Sequence, residues 1–406
     1  MVDKAKRIMK IFISDDDMCT TQKLNLARVH KWFEANNCEI TENLDEADKA
    51  VCATCNGWSL LEEKSYERFK QLRETINGAD LVLLGCVVDS HPAKVTSLHN
   101  GPTVRTRSDL PLSFQEIEQV FPEFEVPLAD IPAQGYFRRR QDYRDYNPKR
   151  LFVNIAEGCA FNCTFCTHKP GLGPRRSRSM ADILDQIQAA LESDSCDILH
   201  LMGMETGLWG IDVGSSYPEL LERVLALSES FAIHVAQFQP QGMKMYGNRL
   251  VSLMSNKRVV DIQIPIQSTS RRIMKMMNRK EHSSVLAPLL KSIRSNNPRA
   301  VLRTDIIVGW PTETDEERLG SLDFACEHFD EIAVYAIELS PDLPAWKYAP
   351  NSFDDVTLKQ IVDESVDFVE KRGCIAHSGQ QNDEAMKAAE SKRIKLRKER
   401  DLIAYG

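Results

Sequence analysis

Six short apolar runs, residues 151–155, 198–202, 233–236, 259–266, 301–308 and 332–339, alternate with stretches of helical periodicity through the second part of the chain. Strands that alternate with helices are joined by crossovers, so they run parallel and carry the helices on their faces. Six such units predict a TIM-like (β/α)6 barrel, complete or partial, with its active site at the carboxyl ends of the strands. A smaller alternation precedes it. A strand near residues 7–14, an amphipathic helix over 22–36 with Leu24, Leu26, Ala27, Val29, Trp32 and Phe33 at helical spacing, and further strands at 49–53 and 80–85 predict a small, flavodoxin-like parallel-sheet domain. The expected boundaries are 1–108 for that domain, 109–147 for a Pro-rich, aromatic connection containing Arg138-Arg139-Arg140, 148–352 for the barrel and 353–406 for a charged helical tail.

Cys159, Cys163 and Cys166 stand on the loop just after the first barrel strand, in Gly-Cys-Ala-Phe-Asn-Cys-Thr-Phe-Cys. With 11 cysteines in 406 residues, this CxxxCxxC spacing arises by chance only about one time in a hundred. Three thiolates on a 4Fe–4S cluster leave one iron without a protein ligand, open to a small molecule. Structural zinc is the alternative, though it prefers two separated knuckles and four ligands.

The formal net charge of -8 argues against broad, sequence-independent binding of nucleic acid, which asks for a basic face. Apolar runs fall short of a membrane span, and the first residues, Met-Val-Asp-Lys-Ala-Lys-Arg, lead into no signal-peptide core. A cytoplasmic protein with reduced thiols is expected, with no membrane partner and a monomeric state. Three further cysteines, Cys19, Cys55 and Cys86, follow the three strands of the first domain. In a parallel sheet the carboxyl ends share one edge, so these residues either converge on a second centre or pack as small hydrophobes.

CxxxCxxC resembles the signature of radical S-adenosylmethionine (SAM) enzymes. The N-terminal domain followed by such a barrel resembles the methylthiotransferases that modify tRNA adenosines and a ribosomal-protein aspartate. The resemblance extends over roughly residues 8 to 350, through Ala53-Thr-Cys, Leu84-Gly-Cys, the approach Asn147-Pro-Lys-Arg-Leu-Phe-Val-Asn-Ile-Ala-Glu-Gly-Cys, Arg176-Ser-Arg-Ser, Gly203-Met-Glu-Thr-Gly-Leu-Trp-Gly, Gln263-Ile-Pro-Ile-Gln-Ser, Met277-Asn-Arg and Arg303-Thr-Asp-Ile-Ile-Val-Gly-Trp-Pro. Several matches in order are far more specific than any one.

The resemblance implies two 4Fe–4S clusters, one on Cys159, Cys163 and Cys166 and an auxiliary one on Cys19, Cys55 and Cys86, with SAM as methyl donor and radical source. It places SAM near Gly203, Met204, Glu205, Gln267, Ser268, Arg303, Asp305 and Gly309. Each has a plainer reading: Glu205 as a cap or surface carboxylate, Gln267 and Ser268 as caps of a following helix, Arg303 as a barrel-wall ion pair, Gly309 as a turn. No catalytic residue is assigned beyond the cluster ligands, and Cys38, Cys52, Cys196, Cys326 and Cys374 read as packing residues.

Departures concern the substrate side. The tail reads as helical where the family has a β-barrel called TRAM, Thr312 stands where Gly is usual, Glu205 and Trp209 where an amide and Tyr are usual, and Leu172 replaces a common Arg. The expected reaction is sulfur insertion, as a methylthio group, at an unactivated C–H bond of a peptide side chain or small biosynthetic intermediate. Reduction would come from a flavodoxin or ferredoxin. The alternatives are a tRNA substrate, a second cluster that donates bare sulfur or relays electrons, and a non-catalytic iron–sulfur sensor.

Overall fold

The computed structural model describes residues 8–15, 18–57, 59–77, 80–107, 110–133, 136–138, 149–193, 196–227, 230–378 and 383–400. The chain divides into two compact units, one of residues 1–136 with 167–174, the other of 137–166 with 175–406.

The first unit is built on β1 (Lys10–Ser14), α1 (Thr20–Ala35), β2 (Glu39–Thr41), β3 (Lys49–Thr54), α2 (Ser59–Thr75), β4 (Leu81–Gly85), α3 (Cys86–Ser90), α4 (Pro92–Leu98) and β5 (Thr103–Val104). Its sheet runs β2-β1-β3-β4-β5, all parallel. This is the doubly wound order of flavodoxin-like folds. Both faces are covered. Val51, Ala53, Val82 and Leu84 point into one core with Trp32 and Phe33 of α1, while Ala50, Cys52, Leu81 and Leu83 point into another with Phe69 and Leu72 of α2. Burial on both sides explains why these strands read as unbroken apolar runs.

The stretch beyond residue 109, expected to be a connection between domains, is part of this unit through residue 133. A short helix, α5 (Ile117–Val120), carries Ile117, and the loops around it carry Phe114, Phe121 and Leu128, into the core of α1. Phe121 lies 5.1 Å from Phe33 and 5.9 Å from Trp32, and Trp32 Nε1 donates to the Val126 carbonyl at 2.7 Å. The aromatics that looked like linker decoration are the cover over the apolar face of α1. The Arg139-Arg140 part of the basic run and residues 141–148 lie outside the described residues.

The second unit contains β6 (Tyr136–Arg138) at one sheet edge, β7 (Arg150–Asn154), β8 (Ala156–Glu157), β9 (Arg176–Ser177), β10 (Ile198–Met202), β11 (Ala232–Val235), β12 (Val259–Gln263), β13 (Val301–Val308), β14 (Glu331–Ala336) and β15 (Ile375–Ser378). The sheet order is β15-β14-β13-β12-β11-β10-β7-β6. The strands β7 and β10 to β15 are parallel neighbours in sequence order, as a partial (β/α) barrel requires. After α6 (Lys169–Leu172) of the first unit, the helices on this barrel are α7 (Met180–Ser193), α8 (Tyr217–Leu227), α9 (Pro240–Met254), α10 (Arg271–Met276), α11 (Ser283–Asn296), α12 (Asp315–His328), α13 (Asp355–Lys371) and α14 (Asp383–Glu399).

The tail is helical, as expected, over α13 and α14, and it packs onto the barrel. Val362 and Val369 of α13 join the barrel core, and β15 adds a seventh parallel strand against Glu331–Val334. Basic residues of α14 then reach the amino-terminal ends of the barrel strands. Arg397 donates to Asp261, Arg393 Nε to Glu331 at 2.8 Å, and Arg400 to Asp330 at 2.5 Å. Among the described residues no helix is long and apolar enough to cross a membrane.

Candidate active site

In the first unit the three thiols follow three neighbouring strand ends. Cys19 caps α1 after β1, Cys55 follows β3 directly, and Cys86 opens α3 directly after β4. Local chemistry fixes each. Ser65 of α2 clamps Cys55, accepting from its N–H at 2.9 Å and donating to its carbonyl at 3.1 Å. Gly85 has φ +112°, and a Cβ there would stand 2.5 Å from the Thr54 carbonyl. Only glycine permits so close an approach of β4 to the end of β3, the step that sets Cys86 beside Cys55. Thr106 Oγ1 donates to Cys86 Sγ at 3.8 Å.

The trio converges. Cys19 and Cys55 hydrogen-bond through their side chains, which raises the Cys19 thiol well above its usual value and lowers that of Cys55. Burial, then the neighbouring Cys55, pushes Cys86 up to about 12. Cys19 and Cys86 are thus held protonated while the ionisation of Cys55 between them is favoured, and a bound cation favours the thiolate form of all three. The same unit holds residues 167–174, where Asn56 Nδ2 donates to the Thr167 carbonyl at 3.2 Å and Thr167 Oγ1 donates to the Gly57 carbonyl at 3.1 Å.

In the second unit, β8 pairs antiparallel with β9, and Gly158, with φ +72°, turns the chain into the CxxxCxxC loop. The loop is pinned at several points. Thr164 donates from its N–H to the Met277 carbonyl at 3.1 Å and from its hydroxyl to that of Met276 at 2.7 Å. Asn278 Nδ2 donates to the Asn162 carbonyl at 2.8 Å. Phe165 meets Trp310 edge to face, 6.0 Å between ring centres. Arg279 Nη1 donates to Cys163 Sγ at 3.6 Å, and the Cys166 N–H to the Cys163 carbonyl at 3.3 Å.

Glu205, fully buried, follows β10 on the loop carrying Gly203 and Met204. Cys159 Sγ donates to its Oε2 at 3.4 Å, and Arg175 Nη1 to its Oε1 at 2.8 Å. Burial, then Glu205, pushes the Cys159 thiol up to about 12. Glu205 stands at the N-cap position of a short 3-10 turn, but its side chain makes no capping bond and is not at the surface; it sits buried against the first thiol of the triplet. Gln239 Nε2 donates to the Met204 carbonyl at 2.8 Å, holding that loop.

Gln267 bridges to β13 through backbone bonds to Asp305 and Ile307, in a left-handed conformation of φ +70°. Its Oε1 is buried with no hydrogen-bond partner among the described residues. A buried acceptor without a donor is costly, and a ligand donor relieves it. Ser268 instead serves the fold, contacting Ser321 Oγ at 3.1 Å and accepting from the Ser270 N–H at 3.1 Å. Arg303 pairs with Glu331 at 2.9 Å and lies 3.7 Å from Asp261, the barrel-wall arrangement. Asp305 accepts from Gln263 Nε2 at 3.2 Å, and burial raises its carboxyl. At Gly309, φ is +76°, the left-handed region that favours glycine, while a Cβ there would meet only the movable end of the Leu358 side chain of α13.

Arg175, Arg279, Thr106 and Ser65 carry no role in the sequence reading, although Arg279 lies inside a quoted motif. Their signal is spatial: each reaches a thiol, or the partner or backbone of one, from residues distant in sequence. Among the described residues, no three side chains of His, Cys, Asp or Glu gather tightly enough for a single metal ion. Two sulfur-only donor sets suit iron–sulfur chemistry, in which thiolates surround a polynuclear core.

The family described as the radical SAM superfamily matches residues 153–325. The ribosomal protein uS12 methylthiotransferase RimO of Thermotoga maritima is 30% identical over 317 residues, covering 73% of this chain and 69% of the relative. A probable threonylcarbamoyladenosine tRNA methylthiotransferase of Pyrococcus horikoshii is 25% identical over 287 residues, covering 68% and 65%. The chain spans between 64% and 69% of the length of the Thermotoga relatives. Among solved structures, the radical SAM methyltransferase TsrM of Kitasatospora setae aligns with a TM-score of 0.61 at 12% identity, covering 83% of this chain and 76% of that one, a likeness of fold.

Proposed function

Because this chain belongs to the radical SAM methylthiotransferase family, we propose that it inserts sulfur, as a methylthio group, at an unactivated C–H bond of a peptide side chain or small biosynthetic intermediate. It is an enzyme of the sulfur-transferase type. The observation that carries the proposal is the convergence of Cys19, Cys55 and Cys86 at the carboxyl ends of β1, β3 and β4, in a chain that also bears the CxxxCxxC loop.

Cys159, Cys163 and Cys166 would hold one 4Fe–4S cluster and Cys19, Cys55 and Cys86 the other. When bound, these groups supply the electron that cleaves SAM to a 5′-deoxyadenosyl radical and the sulfur that is transferred. The chain's own residues then position and shield. Glu205 offers a buried carboxylate to the SAM ammonium beside Cys159, with Arg175 balancing its charge. Gln267 Oε1 offers an acceptor to a SAM hydroxyl or ammonium. Phe161 and Phe165 limit water at the triplet. Gly203 and Met204 line the approach, and Arg303, Asp305, Ser268 and Gly309 act behind them as framework. A flavodoxin or ferredoxin would deliver the electrons.

The name of the Thermotoga relatives favours a protein side chain, and that of the Pyrococcus relative favours tRNA. The net charge of -8 supports the former, as does the engagement of Arg393, Arg397 and Arg400 with carboxylates of the barrel, which withdraws much of the tail's basic charge from an RNA backbone.

Iron content tests the reading. Reconstituted protein should hold about eight irons per chain, falling to about four in the Cys19/Cys55/Cys86 triple Ala variant with SAM cleavage retained. Incubation with dithionite, SAM and candidate substrates should then add the mass of a methylthio group. Gain of bare sulfur points to the alternative donor, and iron without SAM cleavage to a sensor.

A further inference from the structure

Cys326 lies in the last turn of α12 and Cys374 immediately before β15, 48 residues apart in sequence. Cys374 Sγ donates to the Cys326 carbonyl at 3.7 Å and to that of Phe329 at 3.6 Å, which sets the two thiols close enough to perturb each other's ionisation. The approach is built. Gly373, with φ +82°, turns the chain after α13, and the Cys374 N–H donates to the Val369 carbonyl at 3.4 Å. Both cysteines are partly exposed on a surface cleft of about 610 Å3. The remaining thiols outside the trios differ, since Cys38, Cys52 and Cys196 are buried in separate places.

We infer that Cys326 and Cys374 form a reversible dithiol–disulfide site, separate from both cluster trios, which exchanges with small disulfides and, once oxidised, ties the end of α12 to the start of β15. The chemistry follows from the pair. The Cys374 thiolate, whose ionisation is favoured by the hydrogen bond from Cys326, attacks one sulfur of a small disulfide such as glutathione disulfide. A mixed disulfide forms on Cys374 and one glutathione thiolate leaves. Cys326, as thiolate, then attacks the Cys374 sulfur, closing the protein disulfide and expelling the second glutathione. Two protein thiols are oxidised, one small disulfide is reduced to two thiols, and the two protons pass to the leaving thiolates. The bond to Cys374 and burial hold the Cys326 thiol protonated while Cys374 is the attacking sulfur, and Arg372 acts against that on both, so Cys326 is released as a nucleophile once Cys374 is tied up in the mixed disulfide. The consequence is local. β15 is an edge strand paired to β14, and the bond would fasten it and the turn before it to α12.

The test uses the full-length protein, reconstituted anaerobically so that the cluster trios are ligated. It is equilibrated across a series of glutathione to glutathione disulfide ratios, quenched with iodoacetamide and digested without reduction. The expected result is one cross-linked peptide joining Cys326 to Cys374, with alkylation of both falling at least about tenfold toward the oxidising end and that of Cys38 and Cys196 unchanged. Cys326→Ser should instead trap a glutathione adduct on Cys374, a readout available in a variant close to wild type in size. Unchanged alkylation of both residues at ratios that oxidise a control dithiol overturns the inference, as does cross-linking of either to a different cysteine.

Discussion

Arg397 of α14 donates from Nη2 to Asp261 Oδ2 of β12 at 2.7 Å, and both side chains are buried. Asp261 also faces Arg303 at 3.7 Å and His234 at 3.6 Å, so the tail helix completes a charge network at the amino-terminal ends of the barrel strands. Burial pushes the Asp261 carboxyl up, yet His234, Arg303 and Arg397 together hold it below its ordinary value. A buried charge left alone costs about 3–5 kcal/mol, but Arg303 and His234 still face Asp261 when Arg397 is removed, so the loss is that of one charged hydrogen bond, about 1–3 kcal/mol. Arg397→Ala should therefore lower unfolding free energy by about that range, read from urea titrations, while the surface variant Lys395→Ala changes it by less than about 0.5 kcal/mol.

The strand–helix alternation made both sheets legible, because a strand buried on two faces has to be apolar along its whole length. Residues 110–133 were not legible: Phe121 and Phe124 sit among prolines, and their role as the cover of Trp32 and Phe33 lies in tertiary packing alone. β15 was missed for a similar reason. Ile-Ala-His-Ser is four residues long and acquires its strand character from pairing with β14. The cysteine spacing marked only the CxxxCxxC triplet; Cys19, Cys55 and Cys86 read from sequence as either a second centre or packing residues, and the family resemblance favoured the former. The partners of those thiols, Arg175, Arg279, Ser65 and Thr106, were not legible, because hydrogen bonds across long separations leave no periodic trace.

Glu313 sets a pH dependence. Its Oε2 accepts from the Gly309 N–H at 2.7 Å, yet burial raises its carboxyl from the ordinary 4.5 to about 7. A folded value above the unfolded one means that the native state binds more protons between the two, so this group's contribution is present in acid and is lost as pH rises from about 4.5 to about 7. Glu313→Gln, which keeps an acceptor without a charge, should flatten stability across that window and leave the variant the more stable protein above neutrality. Thermal melts at steps between pH 4.5 and pH 8 measure this, with the wild type falling relative to the variant as pH rises.

Arg279 is expected to tune the radical SAM centre without supplying a ligand. Its Nη1 reaches Cys163 Sγ at 3.6 Å, while Nη2 donates to the Pro265 carbonyl at 3.2 Å and fixes the guanidinium. A cationic donor to a cluster thiolate stabilises the reduced, more negative state, so its removal lowers the reduction potential. Arg279→Leu should keep full iron content, shift the midpoint potential to more negative values and slow SAM cleavage by about 10–100-fold. Redox titration followed by electron paramagnetic resonance separates this positioning role from a structural one, which would lower iron content and leave the potential unmoved.

Gly85 offers a way to separate the two centres by backbone geometry alone. With φ at +112° and the Thr54 carbonyl 2.5 Å from where a Cβ would stand, Gly85→Ala has to displace the junction of β4 and α3. Cys86 is the next residue, so the displacement moves one thiol of the amino-terminal trio away from Cys55. The strain of a non-glycine residue in this region is about 1–3 kcal/mol, enough to shift a local segment while the unit stays folded. The variant should therefore retain its circular dichroism spectrum, hold about four irons in place of about eight, and still cleave SAM under dithionite. Transfer of sulfur to substrate should be lost in the same preparation, because three thiols have to meet for the amino-terminal centre to form and only one of them has been moved.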